Sequence, residues 1–174
     1  RRGRPTVHKA FDDASAVLAG DALLTQAFAV LGDASCHPDP AVRIRLVTEL
    51  ALGSGAGGMV GGKMRDIEGE KGGFSEGEIS IMQAMKTGAL IRASVRMGAI
   101  LGGADPRALS AMTAYAEAAG RAFQLADDIL DVTATPEAMG KATGKDAEAG
   151  KQTLVSKLGV DGARKVLNEI GRAH

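Results

Sequence analysis

Hydrophobic positions along the chain are filled mainly by alanine, leucine and methionine, which favour helix. The alternating runs and the aromatic or β-branched clusters that indicate strands are scarce. The pattern predicts helices at about residues 11–32, 40–58, 76–102, 106–133 and 160–171, with a weaker one near 147–158.

Capping residues mark where several of these helices begin. Asp39 and Asp105 each precede a proline, which places a carboxylate at the N-cap and the proline at the first helical position. Ser75, followed three residues later by Glu78, resembles a capping box. Because no repeat and no linker interrupts the pattern, we predict an all-α fold in which residues 1–174 belong to a single-domain helical bundle.

Composition narrows the class of protein. The 174 residues carry 21 Lys and Arg against 21 Asp and Glu, so the net charge is zero with neutral histidines. A hydrophobic share of 45% excludes a disordered or low-complexity chain. The neutral balance gives no reason to expect nucleic-acid or acidic-membrane binding. The single cysteine, Cys36, excludes an internal disulfide and suits a reducing compartment, so we predict a cytoplasmic protein.

No membrane span is predicted, because no uncharged run reaches the roughly 18 apolar residues that a span needs. The best candidate, Ala16 to Leu31, is short and is interrupted by Asp21 and Gln26. Both ends of the chain resemble cut points. The sequence begins RRGRP without an initiator methionine, and it stops at His174 just after a helical pattern begins. We therefore expect an incomplete domain from a longer protein.

Three carboxylates gather near the end of the helix predicted at 106–133. At 100° per residue, Gln124, Asp127, Asp128 and Asp131 fall within an arc of about 100°. Like charges at this spacing repel one another, and acids late in a helix oppose its dipole. Scattered acids usually form a solvated face, but these have apolar neighbours. Hard oxygen ligands on one face suit Mg²⁺, which often binds through a few carboxylates and substrate phosphates. We predict a metal site at the three aspartates.

A magnesium–phosphate site also needs cations, and the sequence offers several. Lys86 and Thr87 lie inside the helix predicted at 76–102, where the ammonium group can neutralise phosphate oxygens and the hydroxyl can hydrogen-bond one. Lys141 and Lys151 each follow a glycine after the acidic helix, in a stretch that is either a mobile surface loop or a lid over a diphosphate. Neither lysine completes a Walker A loop, which disfavours a nucleotide hydrolase.

Taken in order, these features resemble the trans-prenyl diphosphate synthases, or polyprenyl synthetases. FQLADDILD at 123–131 is similar to the second aspartate-rich motif of that family, and RRGRPT at 1–6 resembles the segment directly after the first. Further blocks follow the family's order: AGDAL at 19–23, KTGAL at 86–90 and the Gly-Lys pairs at 140–151. The resemblance covers nearly the whole chain and is closest to the bacterial farnesyl diphosphate synthase type, with the geranylgeranyl type as the near alternative.

The resemblance implies an isoprenoid-synthase fold, a homodimer, and a prenyltransferase that joins isopentenyl diphosphate to an allylic diphosphate, dimethylallyl or geranyl. It implies Mg²⁺ bridging the allylic diphosphate to two aspartate clusters, one of them formed by Asp127, Asp128 and Asp131. The residues implied in substrate binding are Arg1, Arg2, Lys86, Thr87, Gln124, Lys141 and Lys151. Those implied in catalysis are Asp127, Asp128, Lys86 and Lys141.

The implied reaction needs no side-chain nucleophile. The allylic C–O bond ionises to a carbocation and diphosphate, and metals and fixed cations stabilise the charge on the leaving group. The isopentenyl double bond then attacks the carbocation, and a proton is lost to the released diphosphate. A dry, apolar cavity keeps water away from the carbocation.

Two features depart from the family pattern. The first aspartate-rich motif would end just before Arg1, so half of the metal site is missing and the isolated chain is not expected to turn over. GGKMRD at 61–66 resembles the family's Gly-Gly-Gln block, but Lys63 stands where glutamine is usual. Asp66 keeps the acid of that block, and Lys63 adds a charge near the expected allylic site.

Other functions stay open. A non-catalytic, prenyltransferase-like subunit would differ from an enzyme in the sequence that precedes Arg1. RGRP at 2–5 equals an AT-hook core that tracks the DNA minor groove, but it is a single copy on a neutral chain. A di-iron bundle needs Glu-x-x-His pairs, and none of the three histidines supplies one. Terpene cyclases use a similar all-α metal site, but the paired Gly-Lys stretch favours chain elongation.

Overall fold

The computed structural model describes residues 3–69, 73–134 and 153–172. Within these ranges every regular element is helical and no strand occurs, which confirms the all-α prediction. In chain order the elements are α1 (Val7–Ala10), α2 (Asp13–Gly32), α3 (Pro40–Ser54), α4 (Met59–Gly69), α5 (Glu76–Gln83), a π-helical turn (Ala84–Gly88), α6 (Ala89–Leu101), α7 (Pro106–Thr133) and α8 (Leu154–Arg172).

The predicted capping residues are confirmed. Asp39 and Asp105 each accept a hydrogen bond from a backbone N–H in the first turn, at 2.8 and 2.7 Å. Ser75 and Glu78 form the reciprocal capping box at the start of α5. Because these carboxylates and hydroxyls satisfy N–H groups that lack an intrahelical partner, they fix the first residues of α3, α5 and α7.

The largest error of the sequence prediction is α4, for which no helix is predicted. Its sequence, MVGGKMRDIEG, contains three glycines, and each disfavours a helix interior by about 1 kcal/mol relative to alanine. Helix α3 also ends at Ser54, whereas the predicted helix runs to residue 58. Tertiary packing of α4 against α5 and the π-helical turn overrides the weak local propensity.

Two other predicted segments differ in detail. The helix predicted at 76–102 is continuous, but it contains the π-helical turn between α5 and α6. Helix α8 is interrupted at Gly159, whose φ is 71°, which agrees with the predicted break between the last two helices. The part of the weaker predicted helix that precedes residue 153 lies outside the described residues.

The helices pack around α6 and α7. Helix α6 lies between α3 and α7, and the π-helical turn contacts α4 on one side and α7 on the other. Leu46, Ile79 and Leu125 are fully buried, one each from α3, α5 and α7. Leu125 and Ile129 pack against Val155 of α8, so the acidic end of α7 adjoins an apolar cluster, as predicted.

A charged network joins three of these helices away from the acidic end of α7. Arg96 of α6 donates two hydrogen bonds to the Glu49 carboxylate of α3, at 2.8 and 2.7 Å, and a third to the Thr113 hydroxyl of α7, at 2.7 Å. The Arg96 guanidinium holds the pKa of Glu49 below its usual value of 4.5. A bidentate, mostly buried pair of this kind is stronger than an exposed one.

We expect Glu49→Gln to lower the free energy of unfolding at neutral pH by about 1–3 kcal/mol, because it removes a hydrogen-bonded charge from Arg96. Since folding lowers the pKa of Glu49, the stabilisation is complete above pH 4.5 and is lost as pH falls through the folded-state value. Urea unfolding of both proteins from pH 7 to pH 3 checks this. A difference in the free energy of unfolding between the two proteins that stays constant from pH 7 to pH 3 would contradict it.

Helix α2 has no buried residue, although much of it is apolar. Val17, Leu18 and Leu23 are 63%, 67% and 73% exposed. At 20 residues with a mean hydropathy of 1.6, α2 is long and apolar enough to cross a membrane by length and composition alone. The sequence pattern predicts a helix at 11–32, but it predicts no span there because the stretch from Ala16 to Leu31 is short and is interrupted by Asp21 and Gln26.

Candidate active site

Lys86 and Thr87 lie on the π-helical turn, which glycines of two neighbouring helices approach closely. A Cβ on Gly62 of α4 would overlap the backbone of Lys86, and a Cβ on Gly120 of α7 would lie 3.1 Å from the Gly88 Cα atom. The approach of α4 therefore requires glycine at position 62, and a Cβ at position 120 would make the contact with α7 tight. π-helical turns inside α-helices are rare and occur often at functional sites. Here the turn is held between α4 and α7.

Lys86 forms an ion pair with a buried carboxylate of α4. Its Nζ atom lies 2.8 Å from Oδ2 of Asp66, which is 6% exposed. Lys63 Nζ, from one turn earlier in α4, lies 3.3 Å from the same oxygen. The motif GGKMRD at 61–66 identified Asp66 as a family-like acidic position. Only the fold shows that Asp66 pairs with Lys86 of the π-helical turn.

A chain of hydrogen bonds connects the π-helical turn to the acidic end of α7. The Thr87 hydroxyl donates to Gln124 Oε1 at 3.0 Å, and Gln124 Nε2 donates to Asp128 Oδ1 at 2.8 Å. Gln83 Nε2, from the end of α5, donates to Asp128 Oδ2 at 2.7 Å. Each amide is oriented by its partners, so Thr87, Gln124 and Asp128 occupy fixed positions relative to one another.

The predicted acidic cluster is largely buried, unlike an acidic face that is exposed to solvent. Asp128 and Asp131 are 3% and 6% exposed, and Asp127 is half-buried. The described ranges contain no group of three His, Cys, Asp or Glu side chains arranged to hold a metal ion. Asp128 instead accepts an amide hydrogen bond on each oxygen. The oxygen donors of Asp127 and Asp131, four residues apart, fit the ligands that Mg²⁺ takes, and the metal site stays a prediction.

The structure brings together some of the predicted site residues and leaves others undescribed. Thr87, Gln124 and Asp128 are joined by hydrogen bonds, and Lys86, next to Thr87 in the chain, is paired with Asp66. The predicted residues outside the described ranges are Arg1, Arg2, Lys141 and Lys151. Their assigned roles remain predictions.

Gln83 is a residue that sequence reasoning missed. It is 8% exposed, and its amide is directed at the Asp128 carboxylate. The available signal was its position three residues before Lys86, on the neighbouring turn of the same predicted helix. That spacing does not show that Asp128, 45 residues later, lies opposite.

A cavity of about 600 Å³ adjoins the amide chain. Gln83 and Gln124 lie in its wall, and α7 and α8 supply apolar side chains such as Leu125 and Leu158. Arg92 and Arg121 line it together with Glu76 and Glu117, so its formal charges balance. The cavity meets the candidate site only through the two amide side chains, because Lys86, Thr87 and the three aspartates are not among its lining residues.

These features define an all-α protein whose π-helical turn carries a lysine paired with a carboxylate of α4 and a threonine bonded to the amide–carboxylate chain of α7. The sequence profile described as "Polyprenyl synthetase" matches residues 1–173, so the chain belongs to the polyprenyl synthetase family. The resemblance drawn from the sequence motifs is therefore confirmed.

Individual relatives agree with this membership. Farnesyl diphosphate synthase of Escherichia coli (strain K12) is 44% identical over 98% of this chain and 58% of its own length. The apo structure of an FPP/GFPP synthase from Zymomonas mobilis superimposes with a TM-score of 0.82 at 41% identity, covering 98% of this chain and 56% of that one. The geranyltransferase of Helicobacter pylori, complexed with magnesium and isoprenyl diphosphate, gives a TM-score of 0.88 at 32% identity, covering 98% and 55%. The chain thus spans little more than half the length of these relatives.

Proposed function

We propose that the protein carrying this chain is a prenyltransferase that condenses isopentenyl diphosphate with dimethylallyl or geranyl diphosphate to make farnesyl diphosphate. The observation that carries the proposal is that Thr87 is hydrogen-bonded to Gln124 of α7 while the adjacent Lys86 is ion-paired with Asp66 of α4, in a polyprenyl synthetase. The relatives named above support the substrate class. A geranylgeranyl or other short-chain product is the second candidate.

The described residues suggest how the allylic diphosphate is held. The Lys86 ammonium group neutralises phosphate oxygens, and the Thr87 hydroxyl can turn from Gln124 to donate to one of them. Gln83 and Asp128 keep the Gln124 side chain in place. By resemblance, Arg1, Lys141 and Lys151 add cations to this diphosphate site, and Arg2 binds isopentenyl diphosphate.

These groups would act on the leaving group. When the allylic C–O bond breaks, its electron pair moves onto the diphosphate, and cations already in place stabilise that charge without reorganisation. Mg²⁺ bound near Asp127 and Asp131 would supply further Lewis-acid stabilisation of the diphosphate. The isopentenyl double bond then forms the new C–C bond, and the proton leaves to the released diphosphate.

A non-catalytic, prenyltransferase-like subunit is the alternative from a different class. The presence of Lys86, Thr87, Gln124 and all three aspartates favours an enzyme. The sequence that precedes Arg1 discriminates between the two, because an aspartate cluster there would provide the second half of a metal site.

The proposal is tested with the intact protein, Mg²⁺, labelled isopentenyl diphosphate and each allylic primer in turn. We expect an elongated, acid-labile product that chromatography identifies as farnesyl diphosphate. EDTA should abolish product formation, and added Mg²⁺ should restore it. No incorporation of label from any primer would contradict the assignment, and a geranylgeranyl product would favour the second candidate.

We also propose that the intact protein is a cytoplasmic homodimer whose bundle forms one domain, with α2 covered by a second copy of the chain. The exposed apolar side chains of α2 support a covered rather than a solvated face. Sedimentation velocity should give the mass of a dimer. A monomer, or a protein that sediments with added lipid vesicles, would contradict this.

A further inference from the structure

Lys63 and Lys86 converge on one buried carboxylate from different helices. Their Nζ atoms lie 3.3 and 2.8 Å from the same oxygen, Oδ2 of Asp66, so the two ammonium groups are at most 6.1 Å apart. The Lys63 side chain is 51% exposed and that of Lys86 is 25% exposed, whereas Asp66 is 6% exposed. Both cations therefore remain reachable from solvent while the anion does not.

This group of three side chains carries two positive charges and one negative charge. Two ammonium groups so close together repel each other, and an arriving anion relieves that repulsion. If Lys86 alone paired with Asp66, its attraction to a diphosphate would compete with the need to compensate a buried carboxylate, because an uncompensated buried charge is strongly unfavourable. Lys63 removes that competition, since it already contacts the same oxygen.

We propose that Lys63 is a positioning residue of the allylic diphosphate site: it compensates Asp66 and thereby leaves the Lys86 ammonium group available to the diphosphate. This inference rests on the proposed function for the identity of the anion. The ligand class it specifies is a diphosphate, and the effect arises from the charge of Lys63 rather than from the shape of its side chain.

Lys63→Gln in the intact protein tests the inference with two measurements. We expect the affinity for inorganic pyrophosphate with Mg²⁺, measured by calorimetry, to fall about three- to tenfold, as expected for one unit charge removed at this distance in a partly solvated site. We expect the KM for the allylic diphosphate to rise by the same factor, with the KM for isopentenyl diphosphate unchanged. Lys63→Arg keeps the charge and should restore both values.

Arg65→Gln is the matched control. It removes one positive charge from the same helix at an exposed position about 200° around the axis. It should leave pyrophosphate affinity unchanged, and all variants should be fully folded at the temperature of the titration. Wild-type affinity in Lys63→Gln, tighter binding, or failure of Lys63→Arg to restore binding would overturn the inference. A wild-type protein that binds pyrophosphate but elongates no primer would contradict the proposed function instead. The pyrophosphate affinities of the Lys63 variants would still test the role of Lys63.

Discussion

Asp127→Asn in the intact protein is expected to lower kcat by about two to three orders of magnitude, a typical effect of removing one preorganised group that stabilises developing charge. Asp127 is the half-buried member of the acidic cluster, whereas Asp128 and Asp131 are 3% and 6% exposed. Asp127 is thus the carboxylate that a metal–diphosphate complex can reach with the least rearrangement. Asparagine keeps the shape but removes the charge, so the Mg²⁺ concentration for half-maximal rate should also rise.

Steady-state rates measured across a Mg²⁺ titration check this expectation. Asp13→Asn is the control, because it makes the same chemical change at an exposed position of α2, which packs against α1 and α3. Asp13 lies in the first turn of α2, so its loss should change stability by no more than about 1 kcal/mol and leave kcat unchanged. An Asp127→Asn protein with wild-type kcat and wild-type Mg²⁺ dependence would show that Asp127 takes no part in the reaction.

Gly62→Ala is expected to destabilise the protein by about 1–3 kcal/mol through overpacking. The added Cβ would lie 2.5 Å from the Lys86 Cα atom and 2.7 Å from the Met85 carbonyl carbon. These are backbone atoms, which cannot rotate away as a side chain can, so α4 and the π-helical turn must separate. Because that movement also shifts Lys86 from Asp66, we expect kcat/KM for the allylic diphosphate to fall more than tenfold at a temperature where both proteins are folded.

Gly98→Ala provides a control in which the same substitution is expected to raise stability. Gly98 lies within α6, and a Cβ built on it would meet nothing within 4 Å. Alanine there should stabilise the helix by up to about 1 kcal/mol. Thermal unfolding and kinetics of the two variants together separate packing at the π-helical turn from general helix propensity. Equal behaviour of both alanine variants would show that the close approach of Gly62 does not constrain Lys86.

The sequence predicted most of the helical elements because their signals are local. Helix α7 begins and ends where the pattern placed it, at Pro106 and Thr133. The caps at Asp39, Ser75 and Asp105 depend on residues within three positions of one another. Helix α4 was missed for the complementary reason: its glycines weaken the local signal and are explained only by the backbone of another helix lying against them.

The candidate site was also predictable from the sequence only in part. The arc of Gln124, Asp127, Asp128 and Asp131 follows from the 3.6-residue repeat of one helix, and the motifs that identify the family are contiguous in the chain. The helical period shows that these residues share a face. It does not show which of them accept hydrogen bonds from other helices.

The sequence by itself determined the all-α class, most helix boundaries, the family and the face that carries the acids, because each depends on neighbouring residues. Only the tertiary structure decided that Asp66 pairs with both Lys63 and Lys86, and that Gln83 and Gln124 meet at Asp128. Those contacts join helices that are far apart in sequence. Their geometry is set by how closely the backbones pack, and no single segment encodes that distance.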